Sequence, residues 1–413
     1  MLPGIHVIRR AVSLALMACV LVGLPAIAPR AVAAAYTATD LLKLGVRPGI
    51  NHVFPTYLPP QSEGAGTVVG FGGGSATSSN DHALLWNNSS TPIDLNPSGF
   101  RASQARGISG NWQVGNGAGP ITNYDTHALL WNGTAASAVD LNPAGYANSY
   151  GLGIGGNQQV GYGTFLTNVS NVHALLWTGT AASAVDLHPT LLGGFTISSA
   201  NATDGNTQVG YAFGPSSPAH AILWKGTAAS AVDLQPTIAG ADASSANATF
   251  GGQQVGHYSS GVNNYQHAML WSGTAASAID LNPTLLPGFT YSDAYATNGS
   301  QQIGFGNGAG TGTYDHALLW SGTGASAIDL QALLPSSFQS SRALAFDAAG
   351  DIFGLAVDTQ GATHAVEWSV ASTSSAVPLP RATLSAAILL SLIVPWNRRA
   401  WKNSKPDGSN TSM

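Results

Sequence analysis

The chain predicts an all-β fold: a seven-bladed β-propeller of repeats about 47 residues long, closed by an N-terminal strand. Three observations lead there. The pentapeptide HALLW begins at His82, His127 and His316. It recurs as HALLW at His173, HAILW at His220, HAMLW at His267 and HAVEW at His364, with successive spacings of 45, 46, 47, 47, 49 and 48 residues. Each unit holds about four short strand candidates separated by turn chemistry, the pattern of a propeller blade. The third observation is an offset in the counts. The His-Ala and Val-Gly elements each occur seven times, but Asp-Leu occurs six times inside the repeats (Asp94, Asp140, Asp186, Asp233, Asp280, Asp329) and a seventh time in TATDL at Thr37–Leu41. An N-terminal strand that completes the last unit accounts for that offset. An open solenoid does not, and would need capping repeats that are not seen.

Residues 1–35 combine a basic start, an apolar stretch and small residues before the mature chain, which is the make-up of a secretory signal peptide. The only cysteine, Cys19, lies inside it. It is either discarded with the signal or acylated as in a lipoprotein, and in the first case the mature chain carries no disulfide.

Residues 36–376 are the repeat domain. The fullest copies read ANAT, a Gly- or Asn-rich turn, QQVG, a variable polar loop, HAxLW, GTAAS and AVDL, and GTAASAVDL is identical at Gly133, Gly179 and Gly226. Period-two alternation puts His, Leu and Trp of HALLW on one face and Ala and Leu on the other. Both faces are mostly apolar, so the strand is expected to be covered on both sides. Gly45–Gly66 matches the unit poorly and gives a degenerate first blade.

Residues 377–400 contain VPLP, an apolar run over Thr383–Trp396 and the pair Arg398-Arg399, and residues 401–413 form a polar tail. The run has 14 residues, about 21 Å as a helix. That is short of the roughly 30 Å bilayer core.

Only 8% of all residues are charged. Within 36–376, eighteen acidic side chains face six basic ones, a net charge of −12. Nucleic-acid binding needs the opposite sign and is excluded.

The His-Ala-x-x-Trp and Val-Gly elements over residues 67–370 resemble the HAF repeats of bacterial extracellular proteins. The VPLP stretch, apolar run and arginine pair resemble a PEP-CTERM sorting signal of the VPLPA type. Arg381 stands where that variant has alanine, and a polar tail follows where such proteins usually stop. These resemblances imply a secreted or surface β-repeat protein, exosortase-like sorting machinery as a partner, membrane attachment through the C-terminal segment before processing, and an association with exopolysaccharide.

Seven equivalent histidines, one per unit, cannot converge on one metal ion unless they line the axis, and a catalytic histidine would be singular. His82, His127, His173, His220, His267, His316 and His364 therefore read as structural, with the Asp of AVDL as the obvious partner. No metal site or cofactor is expected, and DAAGD at Asp347–Asp351 reads as a turn. No nucleophile elbow, HExxH, phosphate loop or paired glutamate occurs.

What varies is the stretch before each histidine, where Tyr124, Phe165, Tyr265 and Tyr314 offer ring faces suited to sugars. They are the candidate binding residues, set against a purely local role in plugging each loop. The expected function is that of an exported, non-enzymatic scaffold, adhesion or glycan-binding propeller. It would contact exopolysaccharide or surface proteins at the cell surface or in the extracellular matrix. The alternative is a secreted propeller hydrolase or lyase acting on polysaccharide at one channel mouth.

Overall fold

The computed structural model describes residues 36–40, 52–55 (backbone only), 67–87, 91–215, 217–261 and 265–370. The signal-like segment, Leu41 and the C-terminal sorting segment lie outside the described residues. No helix among the described residues is long and apolar enough to cross a membrane. Apart from short 3-10 turns, the described chain is β-structure.

The strands fall into units of four. They are β2–β5 (His52–Pro55, Thr67–Gly73, His82–Asn87, Ile93–Asp94), β6–β9 (Ala102–Ser109, Trp112–Ala118, His127–Asn132, Val139–Asp140), β10–β13 (Tyr146–Gly155, Gln158–Phe165, Val172–Trp177, Val185–Asp186) and β14–β17 (Ile197–Thr203, Gln208–Gly214, Ser217–Trp224, Val232–Asp233). Next come β18–β21 (Ala243–Phe250, Gln253–Ser260, Tyr265–Trp271, Ile279–Asp280) and β22–β25 (Tyr291–Thr297, Gln302–Asn307, His316–Trp320, Ile328–Asp329). The last unit is β26–β28 (Phe338–Phe346, Ile352–Asp358, Thr363–Val370), and its fourth strand is β1 (Tyr36–Asp40), paired antiparallel to β28. Consecutive strands in a unit pair antiparallel, and a single parallel bridge, Val172 to Ile197, links the third and fourth units.

The register of β1 repeats that of its counterparts. Asp140 lies opposite Leu129, two residues after His127, and Asp40 lies opposite Val366, two residues after His364. Tyr36 is buried in the same cluster as Phe338, Val366 and Trp368.

Each HAxLW strand is covered on both sides: in β8, Ala128, Leu129, Leu130 and Trp131 are all buried. The faces divide between neighbouring units. The tryptophan of one unit packs against three apolar residues of the unit before it. Trp224 meets Val160, Leu176 and Leu187; Trp271 meets Val209, Leu223 and Leu234; Trp320 meets Val255, Leu270 and Leu281. These are the Val of Val-Gly, the last Leu of HALLW and the Leu of Asp-Leu, so every repeated apolar residue fills a boundary between units. Removing one such indole costs about 3–5 kcal/mol.

The first strands of successive units from β6 to β26 contact one another, so they form the innermost wall. Every one of these strands carries a β-bulge: at Arg106, Leu152, Asn201, Asn247, Tyr295 and Leu344 the residue is skipped in pairing with the second strand. The bulge explains the invariant glycine of Val-Gly. A Cβ on Gly304 would overlap the Asp293 carbonyl oxygen and lie 2.9 Å from Ala294 Cα, and Gly115, Gly161, Gly210, Gly256 and Gly354 meet the matching carbonyls. Both obstacles are backbone and cannot rotate away.

Candidate functional site

Each repeated histidine stands in its third strand four residues before the tryptophan, and each repeated aspartate at the end of its fourth, so the two meet at one corner. The Nδ1···Oδ2 distances are 2.9 Å for His82–Asp94, 2.7 Å for His127–Asp140 and His173–Asp186, and 2.8 Å for His220–Asp233, His267–Asp280 and His316–Asp329. In the last unit His364 reaches Asp40 at 3.0 Å, across 324 residues, so β1 supplies the seventh aspartate. The aspartates are partly exposed, and each pair contributes about 0–1 kcal/mol. Their effect is to fix the corner geometry.

The second carboxylate oxygen accepts the backbone N–H two residues on, as Asp140 does from Asn142 at 2.8 Å. In four units, at Asn96, His188, Gln235 and Asn282, that residue is tied in turn to a serine of the next unit. Ser103 Oγ accepts from Ala83 N at 3.0 Å and donates to Asn96 Oδ1 at 2.7 Å. Ser244 bridges Ala221 N and Gln235 Oε1, and Ser292 bridges Ala268 N and Asn282 Oδ1. Ser149, Ser198 and Ser341 accept from Ala128, Ala174 and Ala317. A second repeated tie runs from the glycine of the GT turn to a glutamine: Gly133 N donates to Gln113 Oε1, and Gly179, Gly226, Gly273 and Gly322 do likewise to Gln159, Gln208, Gln254 and Gln302. The seven histidines thus stand in seven separate structural corners. Among the described residues no group of three or more His, Cys, Asp or Glu could hold a metal ion.

One corner differs. The residue after Asp186-Leu187 is His188, where other units have Asn or Gln. Its ring stacks on His173 at 4.1 Å, and its Nδ1 lies 2.9 Å from Ser198 Oγ. Burial, followed by the proximity of His173, holds His188 below the ordinary histidine range.

The four aromatic candidates part into two pairs. Tyr124 and Tyr314 sit in loops and are 62% and 49% exposed. Tyr124 also occupies the left-handed region at φ 68°, uncommon for a bulky residue. Phe165 ends β11 and Tyr265 begins β20, so both extend a hairpin instead of standing in a loop. Phe165 stacks on Tyr146 at 4.4 Å with its edge to His173, and Tyr265 stacks on His267 at 4.5 Å. No contact joins any two of the four; each stays with its own unit.

Sequence reasoning missed a second set of non-repeated residues, on the inner strands. At the boundary of the fifth and sixth units, His257 Nδ1 lies 3.1 Å from Asp293 Oδ1, which also accepts from the bulge residue Asn247 at 2.9 Å. At the next boundary the Arg342 guanidinium lies 4.4 Å from the Phe305 ring centroid, with Tyr295 against the same ring and Asp315 accepting from Arg342 Nε at 2.7 Å. Between the second and fourth units lie Arg106, Tyr150, Tyr162 and Tyr211. The signal for four of them, Tyr162, Tyr211, His257 and Phe305, was the residue after each Val-Gly, which varies from copy to copy.

No family model matches the chain, and no curated protein matches it. Solved structures do. The β-propeller domain of the Trilobed protease from Pyrococcus furiosus, which has an open velcro topology, is 9% identical with a TM-score of 0.50, covering 76% of this chain and 95% of that domain.

The fold is a β-propeller.

A puromycin hydrolase (10% identity, TM-score 0.50) and a puromycin-hydrolyzing peptidase from Mycobacterium tuberculosis (10%, 0.50) align with 79% and 78% of the chain. The chain spans about half the length of each of these two proteins, 52%. At such identity the propeller likeness speaks to fold alone.

Proposed function

We propose that the chain is an exported, non-enzymatic propeller of seven blades that acts as a binding scaffold at the cell surface or in the extracellular matrix. Its N-terminal segment 1–35 would direct export. Residues 377–400 would serve exosortase-like sorting, with membrane attachment until processing. Closure of the ring is supported by β1 completing the last unit in register, and by Ala345 and Phe353 of that unit packing with Val69 and Leu85 of the first.

One observation carries the binding role. The repeated polar and apolar side chains are taken up by corner pairs, ties between units and boundary cores. The residues that differ between copies collect at one end: in the connections before each histidine, and on the adjoining stretch of the inner strands. These positions are rich in rings. The inner-strand sets include Tyr150, Tyr162, Tyr211, Tyr295 and Phe305 together with Asp293, and the connections add Asp81, Asp125 and Asp315. A surface lined by rings and hydrogen-bonding groups suits glycan or protein contacts. The alternative, a polysaccharide hydrolase or lyase, draws on the His257–Asp293 pair, a histidine–carboxylate couple outside the repeated corners.

The test is incubation of the purified protein with matrix polysaccharides, assayed for both retention and chain cleavage. Retention without cleavage is expected, and weakening by Tyr124→Ala with Tyr314→Ala would place the contact at this end. Cleavage abolished by His257→Gln would replace the scaffold reading with the enzymatic one.

A further inference from the structure

The first-strand bulges re-aim one side chain per unit, and Arg106 occupies the bulge of β6. Its guanidinium donates to Gln104 Oε1 at 2.7 Å and to Asn116 Oδ1 at 3.3 Å, both neutral amides. It meets no carboxylate among the described residues. That is notable in a domain where acidic side chains outnumber basic ones three to one. Arg342, on the inner strand of the last unit, does have its counter-charge in Asp315. From Arg106, Asp81 is reached only through Gln104, whose Nε2 donates to it at 3.4 Å, so this half-buried cation has no direct counter-charge among these partners and leaves electrostatic stabilisation for an incoming anion to supply.

Beside Arg106 lie ring faces. Tyr150 and Tyr162 are register partners across β10 and β11 and stack at 4.7 Å with 20° between planes. Burial raises the Tyr162 hydroxyl above the ordinary tyrosine range; Tyr150 and Tyr211 add to the shift and Arg106 opposes it. Tyr150 adjoins Gly151, where an added Cβ would lie 2.7 Å from Gly115 O, and Gly115 adjoins Asn116, which accepts from Arg106, so the tyrosine pair of one unit and the guanidinium of the unit before it meet at one boundary. The strands direct this group to the variable end. Tyr162 stands three residues before Phe165, where β11 ends, and Tyr150 lies in the first half of β10.

We propose that Arg106, Tyr150 and Tyr162 form a subsite for a carboxylated sugar ring, a uronate unit of an acidic polysaccharide. The tyrosine faces receive the C–H face of the pyranose, the phenol groups exchange hydrogen bonds with its hydroxyls, and the Arg106 fork engages its carboxylate. This rests on the glycan-binding reading and narrows it to one charge class.

The experiment titrates the purified full chain calorimetrically with an oligogalacturonate, a neutral oligoglucoside and a sulfated oligosaccharide of matched length. The oligogalacturonate is expected to bind at least tenfold tighter than either comparison sugar. Arg106→Gln, which keeps a polar side chain at the bulge, is expected to lose at least tenfold in uronate affinity while its thermal midpoint stays near that of the parent. Tyr162→Phe keeps the stack and is expected to lose only a few-fold. Equal binding of neutral and acidic sugars, unchanged in Arg106→Gln, overturns the uronate subsite and leaves the glycan-binding scaffold standing. Preference for the sulfated sugar overturns the carboxylate assignment. No binding of any glycan overturns both.

Discussion

The glycine of each Val-Gly element gives a stringent test of the repeat geometry, with an internal control from the same unit. At Gly304 an added Cβ would overlap the Asp293 carbonyl oxygen on the adjoining strand, with Ala294 Cα and Asp293 C both 2.9 Å away. To admit it, β22 and β23 must separate next to the bulge. One or two ladder hydrogen bonds are then lost at about 1 kcal/mol each. Overpacking strain adds about 1–3 kcal/mol. Gly304→Ala is therefore expected to destabilise by roughly 2–5 kcal/mol. Gly322 has the opposite character: φ is +83° and nothing lies within 4 Å of its missing Cβ. There Gly322→Ala meets only the left-handed backbone cost of about 1–2 kcal/mol. Urea unfolding followed by tryptophan fluorescence reports on both, since Trp320 is fully buried at the same unit boundary. If Gly304→Ala lowers the midpoint no more than Gly322→Ala, the close-approach account of the Val-Gly element is wrong.

Three further outcomes follow from the geometry. Ser292→Ala should cost about 2–3 kcal/mol, because it leaves the buried Ala268 N–H without an acceptor and Asn282 Oδ1 without its donor; a change under 0.5 kcal/mol in the unfolding midpoint analysis would remove the inter-unit tie from the account. His188 is held neutral in the folded protein by burial and by His173, while the unfolded chain takes up a proton near the ordinary 6.5. Stability should therefore fall as pH drops below about 6.5. His188→Asn, which restores the residue found in three other units, should flatten the thermal midpoint between pH 7.5 and 5; an unchanged slope contradicts the assignment. Asp186, held low by His173 and the His188 N–H against burial, acts only below pH 4 and does not enter that window. Finally, Tyr124→Ala with Tyr314→Ala should leave the thermal midpoint within about a degree, since both rings are exposed and alanine carries the same Cβ as tyrosine into the left-handed backbone at position 124; a large drop would make these rings structural.

Much of the fold is legible in the sequence because each repeat solves the same packing problem. His, Ala, Leu and Trp alternate on a strand covered on both faces, and the partner of each histidine follows from an aspartate 12 or 13 residues on. The missing seventh copy of Asp-Leu points to Asp40, and β1 brings Asp40 to His364. The serine ties are harder to see, since serine is common in this chain and only the boundary between units gives Ser103 or Ser244 its partners. The bulges are invisible in one sequence: Arg106 and Asn247 occupy equivalent places, but nothing local marks them as skipped residues. For the same reason Phe165 and Tyr265 look like loop residues, whereas hairpin extension puts them on strands against His173 and His267. Several inner-strand contacts join different units, such as His257 with Asp293 across 36 positions, and repeat matching attends to what is constant.

The proposed closure of the propeller into a ring through its N-terminal strand is open to a cysteine-pair experiment. Thr39 and Glu367 are register partners across β1 and β28, and the chain's only natural cysteine, Cys19, lies in the signal-like segment. In a chain carrying Thr39→Cys, Glu367→Cys and Cys19→Ser, mild oxidation should join residues 39 and 367 within one monomer, seen by mass spectrometry of the linked peptides. Free thiols throughout, or linkage found only in dimers, would contradict closure of the ring by its own first strand.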